Sequence, residues 1–166
     1  MAQKTEKTNV MRILEQKKIP YTPHFYPHGE GIPTDAVTVA NFVGKDVKSV
    51  YKTLVTRSAS KNYYVFVIPV AEHLDLKKAA KAVGEKSIEM IRQDELLPLT
   101  GYIHGGCSPV GMKKLFKTTF HSDIATLETV AVSAGKVGAQ IEVEPDKLIR
   151  LVNGRTADII SSVQTN

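Results

Sequence analysis

The chain has 166 residues, 42% of them hydrophobic and 23% charged, with 22 basic against 17 acidic side chains and one cysteine. That length suits a single domain over residues 1–166, able to bury about two-thirds of its unfolded surface without disulfides or a structural metal, and it excludes disorder, collagen and coiled coil as whole-chain descriptions. No apolar run approaches the ~20 residues of a membrane span, and the lone Cys107 together with a charged N-terminus that lacks a signal-peptide core predicts a cytoplasmic protein.

Residues 8–17 predict an amphipathic helix. Val10, Ile13, Leu14 and Lys17 recur three and four apart, and Thr5 or Thr8 can cap the start. Pro20 and Pro23 bracket an extended piece ending at Phe25 and Tyr26, which proline confines to a sheet edge or to no sheet. Residues 34–43 predict a second helix, capped by Thr34 or Asp35 and stopped by Gly44. Residues 51–57 and 63–69 carry the strongest strand pattern, and the polar stretch 58–62 joins them as a hairpin. The second strand is apolar on both faces, so it requires a central, covered place. Leu76, Ala79, Ala80 and Val83 mark a helix between Asp75 as cap and Gly84. Residues 86–90 predict a short strand, and 93–97 a helical turn or two ended by Pro98. After a glycine-rich stretch at 101–111, residues 129–133 and 139–143 predict two strands joined by 134–138. Residues 146–152 predict the last helix, with Pro145 near its start and Gly154 after it. Helices and strands interleave, yet a hairpin is present. The expected class is therefore α+β with a mixed sheet.

The signatures of nucleophilic, metal-dependent and dinucleotide-dependent enzymes are absent from the sequence. The five histidines show no ligand spacing, and no metal or cofactor is expected. Two features carry chemistry. Lys52 shares a strand face with Leu54 and Thr56; such a lysine either snorkels to the sheet's edge or serves a site. The run Gly105-Gly106-Cys107-Ser108-Pro109-Val110-Gly111 is either a tight structural turn or a loop that aims N–H groups at an anion or a carbonyl. Cys107 reads as a small buried hydrophobe or as a nucleophile. The loop 133–138 is a plain turn or a second wall of the same pocket. The net charge of +5, much of it in Lys77, Lys78 and Lys81 and in Lys113, Lys114 and Lys117, leans toward polyanionic partners.

From about Met11 to Ile160 the chain resembles the YbaK/EbsC family, the stand-alone Cys-tRNA(Pro) deacylases, which are similar to the editing domain of bacterial prolyl-tRNA synthetases. The resemblance rests on Val50-Tyr51-Lys52-Thr53-Leu54, on Leu74 to Lys81, on Thr100-Gly101-Tyr102, on residues 105–111, on Val132 to Lys136, on Ile141-Glu142-Val143 and on Ala157-Asp158-Ile159. It implies a mixed, partly barrel-like sheet with packed helices. The implied activity is cleavage of the aminoacyl ester of mischarged tRNA, without a cofactor. The implied partners are the acceptor end of tRNA and prolyl-tRNA synthetase. The family's essential lysine matches Lys52, and Gly105 and Gly106 are implied to face the ester carbonyl beside it. Tyr26, Thr53, Ser108, Pro109, Ser133 and Gly135 are implied to bind substrate. The sequence departs from many relatives between Tyr26 and Lys52, where they carry an acidic or aromatic residue on the pocket helix and this chain reads Gly31-Ile32-Pro33-Thr34-Asp35-Ala36, at Val137, where they carry arginine, and at Gln140, where some carry aspartate.

Overall fold

The structure, a computed structural model, describes residues 7–33 and 35–161. The first helix, α1 (Asn9–Gln16), starts where expected: Thr8 is its N-cap, and its hydroxyl accepts the Met11 N–H. Thr5 lies outside the described residues. The extended piece becomes β1 (Tyr21–Phe25), an edge strand that tolerates Pro23. Asp35 caps α2 (Ala36–Val43), which Gly44 ends at φ +72°; Thr34, the other expected cap, lies outside the described residues.

The hairpin forms from β2 (Tyr51–Ser58) and β3 (Tyr63–Pro69). Asp75 then caps α3 (Leu76–Val83) through the Lys77 and Lys78 N–H groups. A short β4 (Ile88–Met90) pairs antiparallel with the far end of β2, at Thr56–Ser58. Helix α4 (Gln93–Thr100) runs through Pro98, which was expected to end it. Its last turn is tied from beyond the proline, where the Gly101 N–H donates to Leu97 and the Thr100 hydroxyl to Leu96.

Two strands were not expected. The first, β5 (Lys117–His121), pairs parallel with β3, and β8 (Arg155–Ala157) pairs parallel with β5. β5 reads Lys-Thr-Thr-Phe-His, with no apolar alternation, and β8 has three residues, so neither shows in the sequence. The next strand, β6 (Val130–Lys136), continues three residues past its expected end, because a bulge between Ser133 and Lys136 absorbs Gly135 at φ +101°. A two-residue turn leads to β7 (Ala139–Val143), and α5 (Pro145–Leu151) follows with Pro145 in its first turn.

The strands form a five-stranded mixed sheet, β4-β2-β3-β5-β8, and a three-stranded sheet, β1-β7-β6. The class is α+β, as expected. The barrel-like character takes the form of two sheets that meet edge to edge at one parallel bridge, Val50 to Ala131. Strand β3 is central and covered on both faces. Val65 and Val67 enter a core shared with Val10, Met11 and Leu14 of α1 and with Val132 and Ile141. Phe66 and Ile68 enter a second core beneath Ala79 and Ala80 of α3. Each such fully buried side chain contributes about 1.5–3 kcal/mol.

One polar cluster fixes α2 over the three-stranded sheet. Glu142 of β7 accepts from Lys45 Nζ and His24 Nε2, both at 2.8 Å, and from the Thr129 hydroxyl. Burial pushes this carboxyl up, but the hydrogen bonds from Lys45, Thr129 and His24 outweigh it and hold the pKa at about 2. A folded-state pKa below the ordinary 4.5 gives stability that is present above pH 4.5 and lost as pH falls toward 2. Acid titration should show a loss of up to about 3 kcal/mol over that window. In Glu142→Gln that acid-dependent step should be gone; an unchanged acid profile would refute the assignment.

Candidate active site

The two sheets pair at Val50 and Ala131 and then diverge. Backbone alternation shows what the gap receives. The Val70 N–H bonds to the Val50 carbonyl, so even-numbered residues of β2 turn their backbone toward β3. The Ile91 N–H bonds to the Val55 carbonyl, so odd-numbered ones turn outward. β4 reaches only Thr56. Between these points the backbone of Thr53 faces the open seam, and a cavity of about 360 Å³ occupies it.

Tyr26, Lys52, Thr53, Gly105 and Ser133 line this cavity, so the structure brings five of the nine expected site residues together. Val39 of α2, Leu96 of α4, His104, Cys107 and Gln140 also line it, beside Val50, Tyr51, Leu54 and Val70. Lys52 is half-buried, and its ammonium makes no hydrogen bond or ion pair among the described residues. Burial lowers its pKa from 10.5, and the charge of Glu72 only partly opposes that. An unpaired, partly desolvated ammonium in a cavity is costly unless a ligand pairs with it. Two buried oxygens repeat the pattern: Thr53 Oγ1 and the Gln140 side-chain oxygen have no hydrogen-bond partner among the described residues. Gln140 is only 7% exposed. Cys107 is 8% exposed, and burial pushes its thiol up to about 12, so at neutral pH it is a protonated wall rather than a nucleophile.

Four expected residues lie behind the wall. Gly106 donates its N–H to the Ile103 carbonyl at 2.9 Å, closing a turn, so it does not offer that N–H to an ester oxygen. Gly105, at φ +87°, takes the third position of the same turn, where a type II turn requires a positive φ, and lines the cavity. The Ser108 side chain is fully buried, and its hydroxyl accepts the Val110 N–H at 3.2 Å. Pro109 lines a different hollow, with Ile13 and Val152. Gly135 adjoins Tyr102 and Val10. Sequence reasoning noted Gln140 only as a departure and missed His104 as part of the site. A signal for His104 existed, since it directly precedes the glycine pair.

Fold and cavity together define a small-ligand site built on positioning groups: a lysine, a glycine turn and unpaired oxygens in a seam between sheets. The chain belongs to the aminoacyl-tRNA editing domain family, whose sequence profile matches residues 33–151. It is 44% identical over 154 residues, 93% of each chain, to EbsC of Enterococcus faecalis, whose name proposes a Cys-tRNA(Pro)/Cys-tRNA(Cys) deacylase. Among solved structures it is similar to a protein described as a candidate trans-editing enzyme for prolyl tRNA synthetase. That match has 26% identity and a TM-score of 0.79, and covers 92% of this chain and 95% of the other. The fold also matches hypothetical protein APE2540 at 21% identity and a TM-score of 0.82, over 93% of this chain and all of the other.

Proposed function

We propose that the protein acts as a single cytoplasmic editing domain that cleaves the ester of mischarged tRNA in trans, with Cys-tRNA(Pro) as its principal substrate. The observation that carries this is Lys52, an unpaired ammonium inside the cavity of a family that edits aminoacyl-tRNA. The name of the 44% identical EbsC supports cysteine as the amino acid.

The ester is already activated, so the site must place it and stabilise the charge that develops on its carbonyl oxygen. Lys52 and the Gly105 N–H are the donors for that oxygen or for the terminal ribose. Thr53 Oγ1 and the Gln140 oxygen accept from the α-ammonium of the aminoacyl group. Tyr26 and Ser133 close the pocket around the small side chain, and a group larger than the pocket is rejected by clash. With Cys107 protonated, the attacking group comes from outside the chain: water, or the thiol of the cysteinyl group itself. In the thiol case, the C–S bond forms as the C–O bond to ribose breaks, and the thiol proton passes to the ribose oxygen.

The tRNA body engages phosphates through exposed lysines, and prolyl-tRNA synthetase supplies selection of the tRNA. The similarity to a protein described as a candidate trans-editing enzyme for that synthetase supports the partner. Two of the expected lysines are occupied at home. Lys78 bonds Asp158 and the Ile160 carbonyl, and Lys113 bonds the Pro98 carbonyl. This leaves Lys77, Lys81, Lys114 and Lys117 for phosphate contacts. If all four serve, binding should weaken with a log–log salt slope of about −3 to −4. A slope near zero would exclude phosphate-dominated binding.

The test is release of labelled amino acid from Cys-tRNA(Pro), with Ala-tRNA(Pro) and Pro-tRNA(Pro) alongside. Rapid loss from the cysteinyl ester alone supports cysteine and attack by its own thiol. Comparable loss from the alanyl ester indicates water. Stable esters throughout, with tRNA still bound, would make the protein a binding module.

A further inference from the structure

We propose that Tyr102 is a positioning residue, a clamp that holds the loop bearing Gly105 in its working shape, and that Gly135 acts as the seat of this clamp rather than as a substrate contact. The proposal rests on the editing reading of the cavity. Tyr102 opens the loop, two residues after α4. Its N–H donates to the Thr100 hydroxyl at 3.0 Å, and that hydroxyl donates to the Leu96 carbonyl at 2.8 Å. The loop therefore starts from a residue tied to α4, whose Leu96 lines the cavity.

The Tyr102 hydroxyl then reaches across the loop and donates to the Val110 carbonyl at 2.5 Å. Everything from residue 103 to 109 is closed between these two points. Inside that closure, Gly106 donates to Ile103, and Val110 donates to Ser108 Oγ. A segment with two adjacent glycines and no helix or strand has large conformational freedom to lose. A cross-link at its ends removes part of that freedom.

The tyrosine has a glycine on either side. A Cβ at position 111 would lie 2.9 Å from the Tyr102 oxygen, and a Cβ at 135 would lie 3.1 Å from Cε1 of its ring. The same Cβ at 135 would lie 3.1 Å from Val10 of α1, so the helix backs the seat. Burial, with a smaller effect from Cys107, pushes the phenol up to about 12, so near neutral pH it remains an O–H donor. None of these atoms lines the cavity; the clamp acts through the loop.

Cys107 lies in the clamped loop and is the chain's one thiol, so its modification by dithiobis(nitrobenzoate) reads the loop without any substrate. Tyr102→Phe keeps the ring and its seat and removes only the hydroxyl. We expect Cys107 to react about ten-fold faster in Tyr102→Phe than in the wild type, and kcat for ester release to fall about ten-fold with KM within about two-fold. Gly135→Ala, which displaces the ring, should reproduce both changes. The control is Tyr64→Phe, which removes a tyrosine hydroxyl bonded to Glu85 away from the cavity and should change neither. Equal thiol rates in wild type and Tyr102→Phe overturn the clamp. An equal rise in Tyr64→Phe also overturns it, because that reports general loosening. A loosened loop with unchanged kcat overturns its role in the reaction. Faster thiol modification in a protein whose wild type cleaves no ester would support the clamp and refute the editing function, so the two are separable.

Discussion

Lys52→Ala should release cysteine from Cys-tRNA(Pro) at least roughly 10- to 150-fold more slowly than the wild type, the loss expected when a charge-assisted contact worth about 1.5–3 kcal/mol is removed. A wild-type rate in this variant would refute the site. The same residue predicts a second effect of opposite sign. Its lowered pKa means that the folded state binds the lysine proton less tightly than the unfolded state does. The cost of holding the charge in the cavity is therefore fully present well below that pKa and fades as pH rises toward 10.5. Lys52→Met at neutral pH removes the charge and keeps the stem. It should be inactive and melt at a higher temperature, about 2–4 °C for each kcal/mol recovered. Thermal melts beside deacylation assays check both halves. A variant that loses activity and stability together would show that Lys52 serves the fold and not the ester.

Gly106→Ala should damage the protein through space rather than conformation. A Cβ there would stand 2.9 Å from Lys136 Cα and from the Val137 nitrogen, and 3.0 Å from the Lys136 carbonyl carbon. All three are backbone, so no side chain can swing aside. The loop and the β6–β7 turn must separate, at about 1–3 kcal/mol. Gly105 moves with them, and ester release should fall more than about ten-fold as its N–H loses alignment. Gly84→Ala is the contrasting variant. Its Cβ meets nothing within 4 Å, while its φ of +76° strains any L-residue. It should cost about 1 kcal/mol and leave kcat alone. If Gly106→Ala behaved like Gly84→Ala, the close approach would carry no function.

These glycines show which parts of the site the sequence could reveal. Lys52 was legible because a charge set into an apolar strand is anomalous by itself, the family resemblance implied a role for it, and the structure places it on the cavity wall. Gly105 and Gly106 were legible as a pair but not as different devices. One lines the cavity and the other lets two backbones touch, and that division depends on residues 136–137, some thirty positions away. Ser108 and Gly135 were matched to the family's pocket loops, and sequence alone does not show that one is fully buried and the other packs against Tyr102 and Val10. The unpaired oxygen of Gln140 exists only because β7 places it against a seam formed with a strand from the other sheet. The fold divides along the same line. The hairpin, the central β3 and the helix caps follow from local pattern. β5 and β8 are strands only because parallel neighbours complete their hydrogen bonds, and local pattern does not encode neighbours.

Cys107 lends the cavity a kind of chemical silence. A thiolate in that wall would compete with the reaction beside it by attacking the ester carbonyl and keeping the acyl group as a thioester while the ribose oxygen leaves. Burial pushes that thiol up to about 12, so it stays protonated at pH 7. A pocket that takes the cysteinyl ester proposed above can thus contain sulfur of its own without being acylated by successive substrates. The apolar packing that suppresses ionisation keeps each turnover from marking the enzyme that performs it.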